Sequence, residues 1–158
     1  MRITTQHSKI TLALIGLTVL TACGGSREEP KPRPAAAEVE CMARAMYFES
    51  NRSSPNGMLA VGSVVMNRVH SDSFPNTVCG VVSQRNQFAP GVMTKPMNKG
   101  AGLARQMAVA VLSGERHPKV SRAKFFHAAW YRANYNNMHY VVTAGGNAFY
   151  EKRRPEQV

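Results

Sequence analysis

Carboxylates are scarce in the central part of this 158-residue chain, although general acid–base chemistry depends on them. From Glu49 to the C-terminal tail, the acidic residues are Glu49, Asp72, Glu115 and Glu151. Glu49 follows Tyr47-Phe48 in a strongly apolar stretch and precedes a polar turn, so its carboxyl is expected at the edge of a hydrophobic site. Such a site favours the neutral acid, which can donate a proton to a leaving oxygen. Periodicity alone equally allows a solvated charge at a helix end.

The first 22 residues have the pattern of a bacterial lipoprotein signal peptide. Arg2 and Lys9 precede an apolar run over residues 10–20 that is too short to span a bilayer as a helix, and small residues lead up to Cys23. We therefore expect export, lipid modification of Cys23 and a membrane anchor. Gly24 stands where lipoproteins of the inner membrane usually carry Asp, which favours the periplasmic face of an outer membrane.

Cysteine and histidine offer a second kind of chemistry. An oxidising compartment favours a disulfide between Cys41 and Cys79, the two cysteines that remain after lipidation. The alternative enzyme is a cell wall cysteine peptidase in which Cys41 is the nucleophile and His127 its base, and pairing of Cys41 would abolish it. The other histidines form no close pair of ligands, so neither a metal site nor a cofactor is predicted.

Composition divides the rest of the chain into a tether and one domain. Residues 23–37 are rich in proline and charge and lack large apolar side chains, so we expect a flexible tether. Residues 38–158 fit one domain with a single core. The formal net charge is +11, which predicts an anionic partner. Export makes peptidoglycan or another anionic envelope component the expected partner, and nucleic acid is not expected.

The elements that must position these residues follow from hydrophobic periodicity. Apolar residues at three- and four-residue spacing predict helices, one of which has Ser54-Pro55 at its start and one of which has Leu103, Met107, Ala110 and Val111 facing inward. Aromatic and β-branched segments near the end predict strands, with a hairpin turn at Gly145-Gly146. The predicted helices cover residues 39–51, 54–70, 77–84 and 101–113, and the predicted strands cover residues 123–130, 139–143 and 148–150. The expected class is α+β, mainly helical with a small C-terminal β-sheet.

Several segments of this chain together resemble a known family. The segments are Tyr47-Phe48-Glu49-Ser50, residues 56–69, residues 73–82, Gln87-Phe88, Leu112-Ser113-Gly114, Phe126-His127-Ala128 and residues 146–150. Their order and spacing resemble the SleB/CwlJ-type cell wall hydrolases, the spore-cortex-lytic enzymes. The resemblance implies a distantly lysozyme-like α+β domain that cleaves between N-acetylmuramic acid and N-acetylglucosamine, with Glu49 as the catalytic glutamate. The predicted lipid anchor differs from the spore relatives and favours ordinary peptidoglycan as substrate.

The number of carboxylates bears on the mechanism. A hydrolase of the usual kind needs a second carboxylate across the sugar, and none stands in a recognisable motif with Glu49. A lytic transglycosylase can use one glutamate as both acid and base, and we favour that mechanism, although folding could still bring Asp72 or Glu115 close.

Four further residues are candidates for substrate binding because they fall in the matching motifs. Asn67, Gln87 and His127 could bond the N-acetyl groups or orient Glu49, and Phe88 could stack on a sugar ring. Asn67 and Gln87 could equally satisfy backbone groups. The alternative that is not an enzyme is a peptidoglycan-binding lipoprotein. Binding alone would not require a glutamate in the position of the family's catalytic residue.

Overall fold

Four helices precede a three-stranded sheet in residues 33–154, the part of the chain that the computed structural model describes. The order confirms the predicted α+β class, mainly helical with a small C-terminal sheet. The signal peptide, Cys23 and most of the predicted tether lie outside the described residues. The elements are α1 (Ala36–Glu49), α2 (Pro55–Val69), α3 (Val78–Val82), α4 (Ala101–Leu112), β1 (Phe125–Ala128), β2 (Met138–Ala144) and β3 (Asn147–Lys152).

The first helix begins and ends earlier than the sequence pattern predicted. The tether was predicted to extend to Ala37, but α1 already begins at Ala36, because the run of alanines favours helix and Val39 N donates to Ala35 O at 3.0 Å. At the other end, Ser50 is extended and its hydroxyl donates to Met46 O. Glu49 is therefore the last residue of α1.

The core lies between α1, α2 and α4. Met42, Met46 and Val65 are fully buried, as the helical periodicity predicts, and Val61 outside the predicted stripe is fully buried as well. Helix α2 begins at Pro55, with the Ser54 hydroxyl accepting from Gly57 N at 3.1 Å.

The residues of α4 that face the core are not all the ones that the sequence pattern predicts. Ala104, Ala108 and Val111 are fully buried, whereas Leu103 and Met107 are half-buried at the flank. Small residues occupy the contact because the helices approach closely. A Cβ added at Gly62 of α2 would lie 3.0 Å from a methyl carbon of Val111.

A disulfide between Cys41 and Cys79 joins α1 to α3, with a Cα–Cα distance of 5.2 Å. Beside it, the Glu38 carboxylate accepts from the backbone nitrogens of Val78 at 2.7 Å and Cys79 at 3.3 Å, which are N-terminal amides of α3. The two links fasten the first turns of α1 to α3.

The sheet is antiparallel in the order β1-β3-β2. One of its faces packs on the helices through Phe149, which is fully buried. The register places a different set of rings together on the opposite face, because residues paired across strands share a face. We call this the aromatic face of the sheet, and it comprises Phe125, His127, Tyr140 and Tyr150.

The turn between β2 and β3 lies at Gly145-Gly146, as predicted, and both residues have positive φ, 55° and 87°. It presses against the start of α2. A Cβ on Gly57 would come within 2.5 Å of Gly145 Cα, so this contact requires glycine on both sides. The turn thereby meets the junction between α1 and α2.

Candidate active site

Backbone and loop contacts hold Glu49 at the end of α1. Its carbonyl oxygen accepts from the Asn147 side-chain amide at the start of β3, and Asn51 N donates to Gly145 O at 3.2 Å. Its carboxylate accepts from the backbone nitrogen of Ala89, which belongs to the long loop between α3 and α4. Glu49 thus lies where α1, the hairpin turn of the sheet and the loop converge.

Burial raises the pKa of the Glu49 carboxyl above its ordinary value. The hydrogen bond from Ala89 and the charge of Arg68 both act in the opposite direction, but burial is the largest cause. The carboxyl therefore keeps its proton to a higher pH than an exposed glutamate does. That property suits a general acid.

Arg68, a residue that the sequence analysis did not single out, places a buried cation near Glu49. Its side chain is enclosed by aromatic rings, and only 3% of the residue's surface is exposed. The Nε donates to Lys124 O at 2.8 Å, whereas Nη1 has no hydrogen-bond partner among the described residues. The guanidinium carbon lies 5.3 Å from the ring centroids of Phe74 and Phe88 and 6.0 Å from that of Phe125.

Burial lowers the pKa of Arg68 to about 10, while the nearby Tyr150 and Glu49 raise it. The side chain is therefore still a cation at neutral pH. A signal for it was present in the sequence. Arg68 follows the buried Val64 and Val65 by four and three residues, so helical spacing directs it inward with them.

The candidate residues of the long loop have different surroundings. Phe88 packs against Phe126 and Arg68, and only 9% of its surface is exposed. It belongs to the core and also lines a surface cavity of about 450 Å³ in the long loop, so its place in the substrate cleft stays a prediction. Gln87 is exposed and lies two residues before Ala89, the donor to Glu49, so its side chain is accessible to a ligand.

The Asn67 side chain forms hydrogen bonds with backbone carbonyl groups. Its amide nitrogen donates to Ser121 O at 2.9 Å and to Ala123 O at 2.8 Å, which uses both of its hydrogens. The side chain thus fixes the segment that leads into β1. This geometry agrees with the structural alternative raised for Asn67 and leaves no amide hydrogen for a substrate.

His127 lies at the centre of the aromatic face. Its Nε2 is 2.8 Å from the Tyr140 hydroxyl and its Nδ1 is 2.9 Å from Ala128 O. The rings of Tyr131, Tyr140 and Tyr150 have centroids 5.3 to 5.5 Å from the imidazole. Tyr131 and Tyr140 are about half exposed and, with His127, line a surface cavity of about 360 Å³.

Aromatic residues in the stretch from the end of β1 to β2 are exposed, among them Trp130, Tyr131 and Tyr140. Rigid rings that carry a hydroxyl or an N–H suit the two faces of a sugar, one apolar and one polar. These exposed rings therefore have the chemistry of a carbohydrate-binding surface.

The other carboxylates of residues 33–154 are bonded to other groups or are exposed to solvent. Glu38 bonds to α3, Glu40 pairs with Arg105 and Glu151 pairs with Arg153. Asp72 and Glu115 are exposed, and none of these acids is among the causes of the pKa shift of Glu49. Within this part of the chain, no second carboxylate therefore contributes to the pKa shift of Glu49.

Cys41 has no free thiol, because it is bonded to Cys79. A cysteine peptidase built on Cys41 and His127 is inconsistent with that bond. In the described part of the chain, no three His, Cys, Asp or Glu residues are grouped so that they could hold a metal ion. A search of the same residues finds no helix with the length and apolarity needed to cross a membrane.

The fold and the site define a small α+β domain with a shielded acid at the end of its first helix and exposed aromatic rings on the sheet side. Residues 52–150 match the family model described as Cell Wall Hydrolase, and this chain belongs to that family. Glu49 lies three residues before the matched span. The predicted resemblance to the SleB/CwlJ-type enzymes is confirmed.

The most informative likenesses are to two solved catalytic domains. The catalytic domain of the germination-specific lytic transglycosylase SleB from Bacillus anthracis is 27% identical, with a TM-score of 0.61 over 75% of this chain and 97% of that one. The catalytic domain of the Bacillus cereus SleB protein is 28% identical, with a TM-score of 0.59 over 81% of this chain and 99% of that one. The distantly lysozyme-like α+β fold is thereby confirmed.

Curated relatives share a shorter segment. A spore cortex-lytic enzyme of Bacillus cereus is 37% identical over 75 residues, which are 41% of this chain and 29% of the relative. The corresponding enzyme of Bacillus subtilis is 33% identical over 51 residues, which are 32% of this chain and 17% of the relative. The match thus spans less than a third of the length of these curated relatives.

Proposed function

We propose that this protein cleaves the glycan strands of peptidoglycan between N-acetylmuramic acid and N-acetylglucosamine, as a lytic transglycosylase with Glu49 as its acid and base. The observation that carries the proposal is the shielded carboxyl of Glu49. Its pKa is raised by burial, it is oriented by Ala89 N, and no second carboxylate of residues 33–154 contributes to its pKa shift. The likeness to catalytic domains of SleB supports the same chemistry.

The reaction needs only one carboxyl. Protonated Glu49 gives its proton to the glycosidic oxygen as the bond from that oxygen to the anomeric carbon of the muramic acid breaks. The resulting carboxylate then takes the proton of the 6-hydroxyl of the same sugar, and O6 bonds to the anomeric carbon. Glu49 returns to its protonated state, and the product ends in a 1,6-anhydro ring.

Arg68 suits the second half of this cycle. A cation beside Glu49 stabilises the carboxylate that exists between the two proton transfers, whereas burial stabilises the acid before and after them. The two opposing effects keep the free-energy difference between the forms small, as a group that both gives and takes a proton requires.

Substrate binding is assigned to the aromatic face and the long loop. A glycan strand extends on both sides of the cut bond, so contact must continue beyond Glu49. His127 and Tyr140 offer polar atoms beside exposed rings, and Gln87 flanks the loop residue that orients Glu49. These residues are proposed to hold the N-acetyl and hydroxyl groups of the strand.

Membrane attachment through Cys23, on the periplasmic face of the outer membrane, is proposed from the sequence pattern of residues 1–24. Such an anchor would hold the basic domain close to the cell wall. It also suits ordinary peptidoglycan as the substrate.

Product analysis tests the proposal. Purified protein is incubated with sacculi, and the released fragments are separated and weighed by mass spectrometry. We expect 1,6-anhydro-muramic acid ends. Reducing muramic acid ends would indicate hydrolysis and would direct the search for a second carboxylate to Asp72. The absence of any release, with binding to sacculi intact, would favour a peptidoglycan-binding lipoprotein without catalysis.

A further inference from the structure

A basic cavity of about 460 Å³ opens beside the aromatic face, at the end of the sheet where β1 starts and β3 finishes. Its lining contains four cations, one carboxylate and one aromatic ring, namely Arg122, Lys124, Lys152, Arg153, Glu151 and Phe125. We call it the basic bay. Neither the proposed reaction nor the aromatic face makes use of these cations.

The bay has an excess of positive charge. Glu151 is engaged by Arg153 at 3.8 Å, which leaves Arg122, Lys124 and Lys152. Lys124 donates to the Ser71 hydroxyl at 3.1 Å, and this neutral partner does not offset the charge of the lysine. The opposing acid is Asp72, which lines a neighbouring cavity together with Arg122 and Lys124. The cations therefore outnumber the carboxylates around the bay, which favours an anionic ligand.

Phe125 connects the bay to the active site. The Lys152 ammonium lies 4.5 Å from the centroid of this ring, and the Arg68 guanidinium carbon lies 6.0 Å from the same centroid. Arg68 is in turn one of the groups whose charge acts on the carboxyl of Glu49. A ligand that enters the bay would thus be close to the sugar whose bond is cut.

We propose that the basic bay binds the carboxylates of the peptide stem on the muramic acid next to the cut bond, so that the enzyme prefers strands that carry peptides. This inference rests on the proposed function. The substrate itself supplies the ligand, because each stem is attached to a muramic acid and carries free carboxylates. A stem of four residues extends roughly 14 Å, so its acids can reach beyond the sugar on which it is held.

The position of the bay favours the stem over an anionic membrane. Phospholipid head groups form a broad surface, which a flat and exposed group of cations matches best, whereas these cations line a concavity with an aromatic ring in its wall. The ring also lies next to Arg68, on the side of the domain that holds Glu49. An anionic membrane is therefore the competing ligand for the bay.

The test compares two forms of the same polymer. Glycan strands are used with their peptides and after an amidase has removed them, and cleavage of each is followed with the full-length protein. The variant combines Arg122→Gln, Lys124→Gln and Lys152→Gln, and its matched control combines Arg33→Gln, Arg105→Gln and Lys119→Gln, which remove the same charge at exposed positions outside the bay and the long loop. The bay substitutions and the control substitutions are also each introduced together with Glu49→Gln, and pelleting of these proteins with each polymer measures binding without turnover.

We expect wild type and control to prefer peptide-bearing strands by about tenfold, which is what three exposed ion pairs of ordinary strength produce together. The bay variant should lose that preference in cleavage and in pelleting, while its rate on stripped strands stays unchanged.

Other outcomes would overturn the inference. Equal binding of both polymers by wild type would contradict it. A bay variant that keeps the preference for peptide-bearing strands but no longer binds phosphatidylglycerol vesicles would also contradict it, because the bay would then bind a membrane. Preferential pelleting without cleavage of either polymer by wild type would contradict the proposed function and leave the inferred binding site standing.

Discussion

The helices and the sheet contribute opposite environments to one site. The helical half shields its functional groups, so that Arg68 is 3% exposed and burial governs the pKa of Glu49. The sheet instead leaves Tyr131 and Tyr140 about half exposed. Proton transfer benefits from a shielded carboxyl, whereas a long hydrated polymer needs an accessible surface. Substitutions in the two regions should therefore affect different steps.

The largest effect is expected at the shielded acid. Glu49→Gln should lower the rate of glycan release by a factor of about 10² to 10⁴, because the amide keeps the shape but cannot exchange the proton. Binding to sacculi and folding should be nearly unchanged. Release of soluble fragments from sacculi measures the rate, and Glu115→Gln, an exposed acid after α4, is the matched control. Near-normal turnover by Glu49→Gln would contradict the central assignment.

The next largest effect concerns the stability of the helical half. Replacing Cys41 and Cys79 by serine opens a link between residues 38 positions apart, and should lower the free energy of unfolding by about 3 to 4 kcal/mol. Activity well below the melting temperature should remain, since the bond is not part of the proposed chemistry. Urea denaturation gives the difference, and wild type under reductant should behave like the double variant. Two freely alkylated thiols in oxidised wild type would refute the pairing.

A smaller effect is expected on the exposed side. Tyr140→Ala should raise KM by about tenfold with kcat nearly unchanged, because a stacked ring contributes about 1 kcal/mol beyond the area it buries. Tyr140→Phe keeps the ring but loses the contact with His127 Nε2, and it separates stacking from hydrogen bonding. Kinetics on soluble glycan strands provide both constants. A loss confined to kcat would mean that this face takes part in the chemical step.

The smallest effect is a displacement of the pH profile. The charge of Arg68 lowers the pKa of Glu49, so Arg68→Gln should raise that pKa. The acid then stays protonated to higher pH, so the alkaline limb of the kcat/KM profile moves to higher pH. Arg68→Lys retains the charge and should leave the limb in place. A limb that does not respond to Arg68→Gln would show that the cation does not tune the acid.

Much of the helical half could be predicted from the sequence, because its periodicity reports burial directly. Glu49 at the end of α1, the start of α2 at Pro55 and the glycine turn of the hairpin all follow local rules. The fold class and the family follow from the same segments.

The distribution of aromatic residues could not be predicted in this way. A strand pattern indicates which residues share a face but not which face is covered, so the exposure of Tyr140 could not be predicted from it. Arg68 was missed because a cation on an apolar helical stripe is normally solvated. Its helical spacing points inward, and the packing of Phe74, Phe88 and Phe125 around it shows that it is buried.

The fastening of α1 to α3 also has a mechanical consequence. Helix α1 leads from Ala36 directly to Glu49, about 20 Å at the usual rise per residue, so a pull that arrives along the preceding chain acts on the same helix that ends in the proposed catalytic acid. The disulfide at Cys41 and the bonds of Glu38 to α3 transfer that load to the body of the domain within the first two turns. The last turn of the helix is therefore spared tension, so a pull from the proposed anchor would leave Glu49 in place.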